Sequence, residues 1–279
     1  MILSFHPCFE TDTNIIVAGR DPGKAELAAI QSAEAVILPQ GCRESLWSLA
    51  VENCPRVFPD YHARFEYPGK TGQAALFEKL DAPFPPTRVY KDLADFYQQH
   101  PSTETGFSLS FPFVFKFNWG GEGQTVFLIA SPGDLSRQLD MAAQFEKSGQ
   151  TGFLLQVFVP HGNRTLRVVI INRRLISYWR VQPDRQAFGT SLASGARIDS
   201  AADPVLQGLG KTAVQTACAQ TGINLAGFDV IFNPAAFHTE PVLLEINYFF
   251  GRTGLGGSEA FYGLLVPEIE AWIKDVKAS

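Results

Sequence analysis

Apolar and polar positions near the start of the chain follow a strand, helix, strand order. Two short apolar runs, NIIVAG (14–19) and AVILPQG (35–41), each end in glycine. The segment between them, PGKAELAAIQSAE (22–34), has the composition of a helix. Parallel strands need a crossover connection of this kind. We therefore predict a parallel βαβ unit at the N-terminus.

The next helical segment ends in a proline-rich stretch. The sequence GKTGQAALFEKLDAPFPPT (69–87) carries prolines at positions 83, 85 and 86, where a helix cannot continue. We place the first domain boundary near residue 85.

From residue 107 onward, short apolar runs alternate with helical patterns. This arrangement predicts an α+β region built on antiparallel strands. The predicted strands are FPFVFKFN, TVFLIA, FLLQVFV, TLRVVII, RLISYWRV, GFDVIF and VLLEINYF. The predicted helices are GDLSRQLDMAAQFEKSG, LQGLGKTAVQTACAQTG and EAFYGLLVPEIEAWIKDV. Pro267 is expected to bend or split the last helix.

Composition narrows the class of protein. The 279 residues are 46% apolar and 18% charged, which is typical of a globular protein, and the net charge of -5 does not attract nucleic acid or an anionic membrane. No apolar run approaches the roughly 20 residues of a membrane helix, and no leader pattern begins the chain. Four widely spaced cysteines predict neither a zinc site nor a disulfide framework. We expect a cytoplasmic protein without nucleic-acid or membrane partners.

Three oxygen-bearing side chains fall in two strands that we expect to be neighbours. Asp229 lies in GFDVIF, Glu245 and Asn247 lie in VLLEINYF, and the turn-forming segment between the runs predicts an antiparallel hairpin. Residues two apart share a strand face, so Glu245 and Asn247 can both meet Asp229. Carboxylate and amide oxygens are hard ligands that suit Mg²⁺, and a bound Mg²⁺ can also coordinate substrate phosphates. Alternatively, Asp229 begins a strand, Glu245 joins a salt bridge and Asn247 starts a turn.

A single lysine in an apolar run precedes a glycine-rich loop. Lys116 stands in FPFVFKFN, and Gly120, Gly121 and Gly123 follow. A buried ammonium needs an anion, and the amides of a glycine loop can approach phosphate oxygens closely. The alternative is an edge-strand lysine that extends to solvent, followed by an ordinary hairpin turn.

Further polar residues flank the run TLRVVII. Arg164 and Arg167 lie at its start, with Gln156 and His161 upstream. A guanidinium can bind carboxylate or phosphate through two contacts, although arginines at strand ends are often solvated. No second histidine is placed beside His161, and we interpret it as a loop residue.

The order of these motifs resembles that of the ATP-grasp superfamily. The motifs are GKTGQAALFEKL with Lys70, Lys116 before NWGGEGQTV, LLQVFV, the arginine of TLRVVII, GFDVIF and LLEIN. Over residues 66–257 they are most similar to the branch that holds glutathione synthetase and the glutamate ligases that modify ribosomal protein tails.

The resemblance implies an ATP-grasp fold, with α/β and α+β parts around a nucleotide cleft. An N-terminal βαβ domain would cover residues 1–85. A central α+β subdomain with the glycine-rich loop would cover residues 86–160, and a C-terminal α+β subdomain with the metal site would cover residues 161–279.

The resemblance also implies a role for each matching position. Nucleotide would be bound by two lysines that contact the phosphates, a loop (118–125) that closes over them, and a hinge strand whose backbone reads the adenine edge. These residues are Lys70, Lys116, Gly120, Gly121, Gly123, Gln156, Val157, Phe158 and Val159, and the Mg²⁺ ligands are Asp229, Glu245 and Asn247. The metal site would accept one or two Mg²⁺ ions, or Mn²⁺ as a substitute. Arg167 would steady transferred phosphate or substrate carboxylate, and Arg252 would border the acceptor pocket.

The implied activity is an ATP- and Mg²⁺-dependent ligase that joins a carboxylate to an amine, or as second choice a thiol, through an acylphosphate. Phosphoryl transfer needs mainly charge neutralisation and positioning, which two lysines, Mg²⁺ and an arginine would supply. Small-molecule and peptide substrates both fit, and so does a homo-oligomer.

Some positions depart from the family pattern. Thr165 stands where an acidic residue usually meets the ribose hydroxyls, and Val157 replaces an acid of the adenine hinge. Gly189 and Ser191 replace an arginine and an asparagine, and the aromatic YFFGRTG replaces a turn of small residues. Two alternatives therefore stay open: a nucleotide-binding or regulatory protein with reduced turnover, and a kinase that releases its phosphorylated substrate.

Overall fold

The first sheet lies at the N-terminus and is parallel. The computed structural model describes residues 1–100, 109–121, 123–234 and 240–278. The strands of this sheet are β1 (Ile2–Ser4), β2 (Thr13–Asn14), β3 (Ala35–Ile37) and β4 (Val57–Phe58), in the order β2-β1-β3-β4. The helices of this part are α1 (Lys24–Gln31), α2 (Glu44–Asn53), α3 (His62–Glu66) and α4 (Gly69–Lys79).

The predicted parallel unit is present, but its first strand was placed wrongly. The run NIIVAG contributes only Asn14 to a strand, and Ile16 within it is 58% exposed. The central strand is instead β1, which is buried between β2 and β3. The apolar run at β1 is short and is followed by Ser4, His6 and Pro7, whereas β3 lies in the continuous run AVIL, so the sequence showed β3 and not β1.

The second sheet is antiparallel and has an aromatic core. Its strands are β5 (Thr87–Tyr90), β6 (Phe113–Phe117), β7 (Val126–Ile129) and β8 (Phe153–Val157), in the order β5-β8-β6-β7. Its helices are α5 (Leu93–Gln99) and α6 (Pro132–Lys147). They pack on the face where Phe115 stacks on Phe153, with ring centroids 4.8 Å apart. Lys116 projects from the opposite face, because successive strand residues alternate.

The third sheet is antiparallel and lies between two helices. Its strands are β9 (Arg164–Ile171), β10 (Arg174–Val181), β11 (Arg197–Asp199), β12 (Leu225–Ile231) and β13 (Val242–Asn247), in the order β11-β10-β9-β12-β13. Its helices are α7 (Pro204–Thr221) and α8 (Gly257–Ala278), and short 3-10 turns cover Leu192–Ser194 and Thr253–Leu255. Leu166 and Val168 of β9 share a core with α7, whereas Val169 and Ile171 share one with α8. The predicted split at Pro267 does not occur, since α8 runs through it.

The α/β and α+β character of the chain is confirmed. Each strand and helix predicted beyond residue 107 matches an observed element. The elements that were not predicted are β1, β4, β5, β11, α2, α3 and α5. The strands of the three sheets fall within residues 2–58, 87–157 and 164–247. Residue 122 of the predicted glycine loop and residues 235–239 of the predicted hairpin turn lie outside the described residues. No helix in the described ranges is long and apolar enough to cross a membrane.

Candidate functional site

Asp229, Glu245 and Arg167 lie side by side on the third sheet. Asp229 on β12 pairs with Glu245 on β13 and with Arg167 on β9, so the three side chains project from one face. The predicted hairpin pairing is therefore confirmed. Asn247 lies on the same face, two residues further along β13. A β-bulge lies next to this group, with Leu244 as the extra residue on β13. Such bulges are common at functional sites, where they change the direction of side chains.

Two arginines hold the buried Asp229 carboxylate. Arg167 Nε donates to Asp229 Oδ1 at 2.7 Å and its Nη2 donates to Oδ2 at 3.3 Å. Arg180 Nη2 lies 2.7 Å from Oδ1, and Asn247 Nδ2 lies 3.4 Å from Oδ2. Burial alone would raise the pKa of Asp229, but the charges of Arg167 and Arg180 outweigh it and lower that pKa. Sequence reasoning missed Arg180, whose only signal was a charged residue near the end of an apolar strand.

Two lysines and Glu245 line a cleft between the second and third sheets. Lys70 on α4 and Lys116 on β6 meet there with Gln156 and Glu245. Lys116 is 8% exposed and β6 lies between β8 and β7, so Lys116 is not an edge-strand lysine that extends to solvent. Burial lowers the pKa of Lys116 to about 8, and the Glu245 carboxylate limits the fall. Burial also lowers the pKa of Lys70.

The glycine-rich loop is bonded to the start of α4. Lys70 Nζ donates to the carbonyl oxygens of Trp119 and Gly120, each at 3.0 Å. Gly69 has a φ of +69°, and a Cβ there would lie 2.3 Å from Asn118 Oδ1, so glycine is required at this position. Lys70, which we expected to contact phosphates, therefore contacts the backbone of the glycine-rich loop.

Part of the expected adenine hinge is already hydrogen-bonded within the protein. Gln156 Nε2 donates to Thr87 Oγ1 at 2.8 Å, and the Val157 amide donates to the Pro86 carbonyl at 2.9 Å. Residues 158–159 follow the end of β8 and are half-buried. The Gln156 side chain and the Val157 amide are therefore already engaged within the protein.

Gln73 attaches α4 to the strand that carries Glu245 and Asn247. Its Nε2 donates to the Ile246 carbonyl at 2.8 Å, and its Oε1 accepts from the Ile246 amide at 2.8 Å. β13 lies at the edge of its sheet, so the outward amide and carbonyl of Ile246 have no neighbouring strand to bond with. Gln73 provides the hydrogen bonds that such a strand would provide. Sequence reasoning missed Gln73, although it lies one helical turn after Lys70.

The polar residues upstream of β9 do not join the cleft. Arg164 forms an ion pair with Asp203 and lies over the Trp179 ring, 4.3 Å from its centroid. His161 Nδ1 lies 2.9 Å from the Val159 carbonyl oxygen, which agrees with its interpretation as a loop residue.

Among the described residues, Arg252 makes no hydrogen bond or ion pair with Asp229, Glu245 or Asn247. Its guanidinium carbon is 4.8 Å from the centroid of the Phe261 ring and 4.7 Å from that of the Tyr262 ring, both on α8. Its Nη2 is 3.5 Å from Gln40 Oε1, in the loop after β3. The structure thus places Arg252 at the junction of the first and third sheets.

Comparison with known protein families agrees with this arrangement. The RimK-like ATP-grasp domain matches residues 73–260, which is more than half of the chain. The chain belongs to the RimK-like ATP-grasp family. It matches none of the curated proteins at a significant level.

Solved structures with the ATP-grasp fold resemble the chain closely in shape and distantly in sequence. A RimK-domain ATP-grasp protein from Sphaerobacter thermophilus is 13% identical with a TM-score of 0.62, over 96% of this chain and 98% of that one. The D-alanine–D-alanine ligase from Bacillus anthracis complexed with ATP is 14% identical with a TM-score of 0.64, over 95% and 87%. The chain spans 59% of the length of an N5-carboxyaminoimidazole ribonucleotide synthetase, with 13% identity and a TM-score of 0.56 over 85% of this chain. At such identities the likeness concerns the fold.

The positions that depart from the ATP-grasp pattern have structural partners of their own. Thr165 and Thr190 are buried and share a hydrogen bond of 2.8 Å between their hydroxyls. Ser191 Oγ accepts from the Ala193 amide at 3.2 Å and so begins a 3-10 turn. Gly123 of the glycine loop faces Ser191, since a Cβ at Gly123 would lie 3.9 Å from the serine Cβ.

The expected Mg²⁺ ligands fit the metal in donor type, and their surroundings limit how they would bind it. Asp229, Glu245 and Asn247 offer hard oxygens on one face. No group of three or more His, Cys, Asp or Glu side chains within the described residues is arranged to hold a metal. Asp229 Oδ2 has only the longer contacts, at 3.3 and 3.4 Å, and in the described part of the chain Glu245 forms no ion pair. A metal would therefore meet Asp229 Oδ2 and the Glu245 carboxylate.

Proposed function

We propose that the chain is an ATP- and Mg²⁺-dependent ligase that joins a carboxylate to an amine through an acylphosphate. The observation that carries this proposal is the meeting of Lys70, Lys116 and Glu245 in one cleft, in a chain of the RimK-like ATP-grasp family. Asp229 lies directly opposite Glu245. Two ammonium groups and one carboxylate in the cleft, with a second carboxylate beside it, suit a nucleoside triphosphate with Mg²⁺.

The proposed reaction has two steps. A carboxylate oxygen attacks the γ-phosphorus of ATP, the bond from that phosphorus to the β–γ bridging oxygen breaks, and ADP leaves. The amine nitrogen then attacks the acyl carbon, inorganic phosphate leaves, and the nitrogen loses a proton to give an amide. A buried cleft favours the second step because it keeps water from the acylphosphate.

The lysines and the acidic pair have separate tasks in this proposal. Lys70 and Lys116 offset the charge of the phosphates, and Lys70 exchanges its two carbonyl partners for phosphate oxygens. Mg²⁺, when bound, supplies further charge neutralisation there. Asp229, Glu245 and Asn247 would hold the metal.

Arg167 takes a narrower task than the resemblance implies. Its Nε and Nη2 are already engaged by Asp229. We therefore assign Arg167 to the positioning of Asp229 and not to a contact with substrate. Arg180, which lies on the same carboxylate, shares this task.

Nucleotide entry requires the cleft to open. The cavity that Lys70, Lys116 and Glu245 line has a volume of about 10 Å³. That volume holds about one water, whereas ligand pockets usually reach roughly 300 Å³ or more. The second sheet would move away from the third to admit ATP.

The proposal also covers the organisation and setting of the protein. It places domain boundaries near residues 85 and 160 and the protein in the cytoplasm. It also includes Mn²⁺ as a substitute for Mg²⁺ and assembly into a homo-oligomer.

A second candidate is a nucleotide-binding protein with reduced turnover. The observations that favour it are the two arginines on Asp229 and the Thr165–Thr190 hydrogen bond at the expected ribose position. This candidate and the ligase both bind ATP, but only the ligase releases ADP.

The melting temperature with and without ATP, in Mg²⁺ and in EDTA, tests the shared part of both candidates. A ligand at a hundredfold excess over its Kd adds about 2.7 kcal/mol to the free energy of unfolding. We expect a rise that depends on Mg²⁺, followed by ADP release with a panel of carboxylic acids and hydroxylamine as the amine. No rise at millimolar ATP would overturn both candidates, and a rise without ADP release would select the second.

A further inference from the structure

A second cavity lies outside the cleft, at the carboxyl ends of β1 and β3. Its volume is about 290 Å³, and Phe5, Pro39 and Gly41 contribute to its wall directly after these strands. In the order β2-β1-β3-β4, the strand that follows β1 in the chain, β2, lies on one side of β1, and the next two strands, β3 and β4, lie on its other side. The direction in which the chain adds strands to the sheet therefore reverses between β1 and β3. The crevice at such a reversal is the usual ligand position in parallel sheets.

The wall of this cavity is mainly apolar. Phe5, Val17 and Leu46 line it with buried side chains, and Ile16 lies at its rim with 58% exposure. The volume of about 290 Å³ lies near the lower limit for small-molecule pockets. An aliphatic or aromatic group of moderate size fits such a space.

The two arginines at the rim are already paired. Arg20 Nη2 lies 2.5 Å from a Glu26 carboxylate oxygen, and Arg43 Nη1 lies 3.7 Å from Asp21 Oδ1. Both arginine side chains are more than half exposed, at 53% and 62%, and each has a carboxylate partner, so neither places an unpaired charge on the buried wall. The preference of the cavity itself is therefore for apolar groups.

Contacts join this cavity to the strand that carries the expected metal ligands. A Cβ at Gly41 would lie 3.0 Å from the ring of Phe249, which follows Asn247 by two residues. Gln40 Nε2 donates to the Tyr248 carbonyl at 3.3 Å. The loop after β3 thus packs on the loop after β13.

Arg252 stands at this junction without an acidic partner. Among the described residues no carboxylate forms an ion pair with it, and its contacts are the Phe261 and Tyr262 rings and two long polar contacts. One of these is Gln40, which lies between two residues of the cavity wall. A guanidinium that has no carboxylate partner in the protein can bind the carboxylate of a ligand through two hydrogen bonds.

We propose that this cavity binds the apolar group of the carboxylic acid substrate while Arg252 binds its carboxylate. This inference rests on the proposed function and narrows the acyl donor to acids with an aliphatic or aromatic group. A small or doubly charged acid would leave the apolar wall unfilled or would place a charge against it.

Three acids with apolar groups and two without them test the inference on the full chain. The probes are hexanoate, 4-methylpentanoate and 3-phenylpropionate, compared with acetate and succinate. The readouts are the rise in melting temperature and the release of ADP with hydroxylamine as the amine. We expect at least one apolar acid to raise the melting temperature and to give kcat/KM about tenfold or more above both comparison acids.

Two aspartate variants locate the effect. Ile16→Asp puts a carboxylate at the rim, whereas Val205→Asp puts one on α7, where Val205 is 74% exposed and outside the cavity wall. We expect Ile16→Asp to lose about tenfold or more in kcat/KM for the preferred apolar acid, and Val205→Asp to keep it. Equal response to acetate or succinate, no binding by any apolar acid, or an unaffected Ile16→Asp variant would overturn the inference.

The outcomes separate this inference from the proposed function. If an apolar acid raises the melting temperature of the wild type but not of Ile16→Asp, and no ADP appears, the cavity assignment holds and the ligase proposal fails. If ADP release responds to succinate or acetate alone, the ligase proposal holds and the cavity assignment fails.

Discussion

Arg167 and Asp229 lie opposite each other on neighbouring strands and form a buried ion pair with two contacts, at 2.7 and 3.3 Å. The arginine holds the carboxylate in place and also offsets its charge. Metal affinity should therefore rest mainly on Glu245, the carboxylate that forms no ion pair within the described residues.

Replacing Arg167 with methionine should destabilise the fold strongly. Loss of one partner of a buried ion pair costs about 3 to 5 kcal/mol. Because Asp229 keeps its contact with Arg180, we expect a loss of about 3 kcal/mol. Arg164→Met on the same strand is the control, because that arginine is partly exposed and should lose about 1 kcal/mol or less. Urea unfolding measures both variants, and equal losses would contradict the structural role of the Arg167 pair.

Replacing Glu245 with glutamine should remove the response to metal while preserving the fold. Glu245 has no ion pair in the described part of the chain, but its charge supports the buried Lys116 ammonium, so the free energy of unfolding should fall by about 1 to 2 kcal/mol and the variant should remain folded. The rise in melting temperature with ATP should no longer differ between Mg²⁺ and EDTA. Glu240→Gln, at an exposed position just before β13, should behave as the wild type. A Mg²⁺-dependent rise in Glu245→Gln would remove Glu245 from the metal site.

The sequence predicted the long strands and the pairing of Asp229 with Glu245 because both are local. Each strand of five or more residues shows an apolar run, and the hairpin brings its own two strands together. Arg180 and Gln73 could not be predicted, since their partners, Asp229 and Ile246, lie far along the chain. The three-residue β1 has no readable period. Sequence reasoning thus identified the charged residues of the cleft and also Arg167, but it missed Arg180 and Gln73, which help to hold them in position.

Lys116 should make stability depend on pH in the alkaline range. Burial lowers its pKa from 10.5 in the unfolded chain to about 8 in the folded one. Between these values the unfolded chain binds more protons, so the contribution of Lys116 to stability rises with pH, by up to about 3 kcal/mol. The free energy of unfolding of the wild type minus that of Lys116→Met should therefore increase from pH 8 to pH 10, and a flat difference would contradict the lowered pKa.

The same titration should weaken ATP binding above pH 8. Neutral Lys116 cannot offset phosphate charge, so the Kd for ATP with Mg²⁺ should increase as pH passes about 8. Lys116→Arg is the control, because a guanidinium stays charged throughout this range. If calorimetry finds the same pH dependence in both proteins, another group is responsible.

Replacing Gln73 with alanine should loosen the edge strand that carries Glu245 and Asn247. The variant loses two hydrogen bonds of 2.8 Å and leaves the Ile246 amide and carbonyl without their partners, at a cost of about 1 to 3 kcal/mol. Glu78→Ala, at an exposed position of α4, is the matched control and should change stability little. Glu245 and Asn247 flank Ile246, so Mg²⁺ binding should weaken as well. In the presence of ATP, the variant should need a higher Mg²⁺ concentration than the wild type to reach half of its maximal rise in melting temperature. If the variant loses stability but responds to Mg²⁺ as the wild type does, Gln73 supports only the fold and not the metal site. If the variant loses no stability, water replaces the Gln73 amide at the backbone of β13.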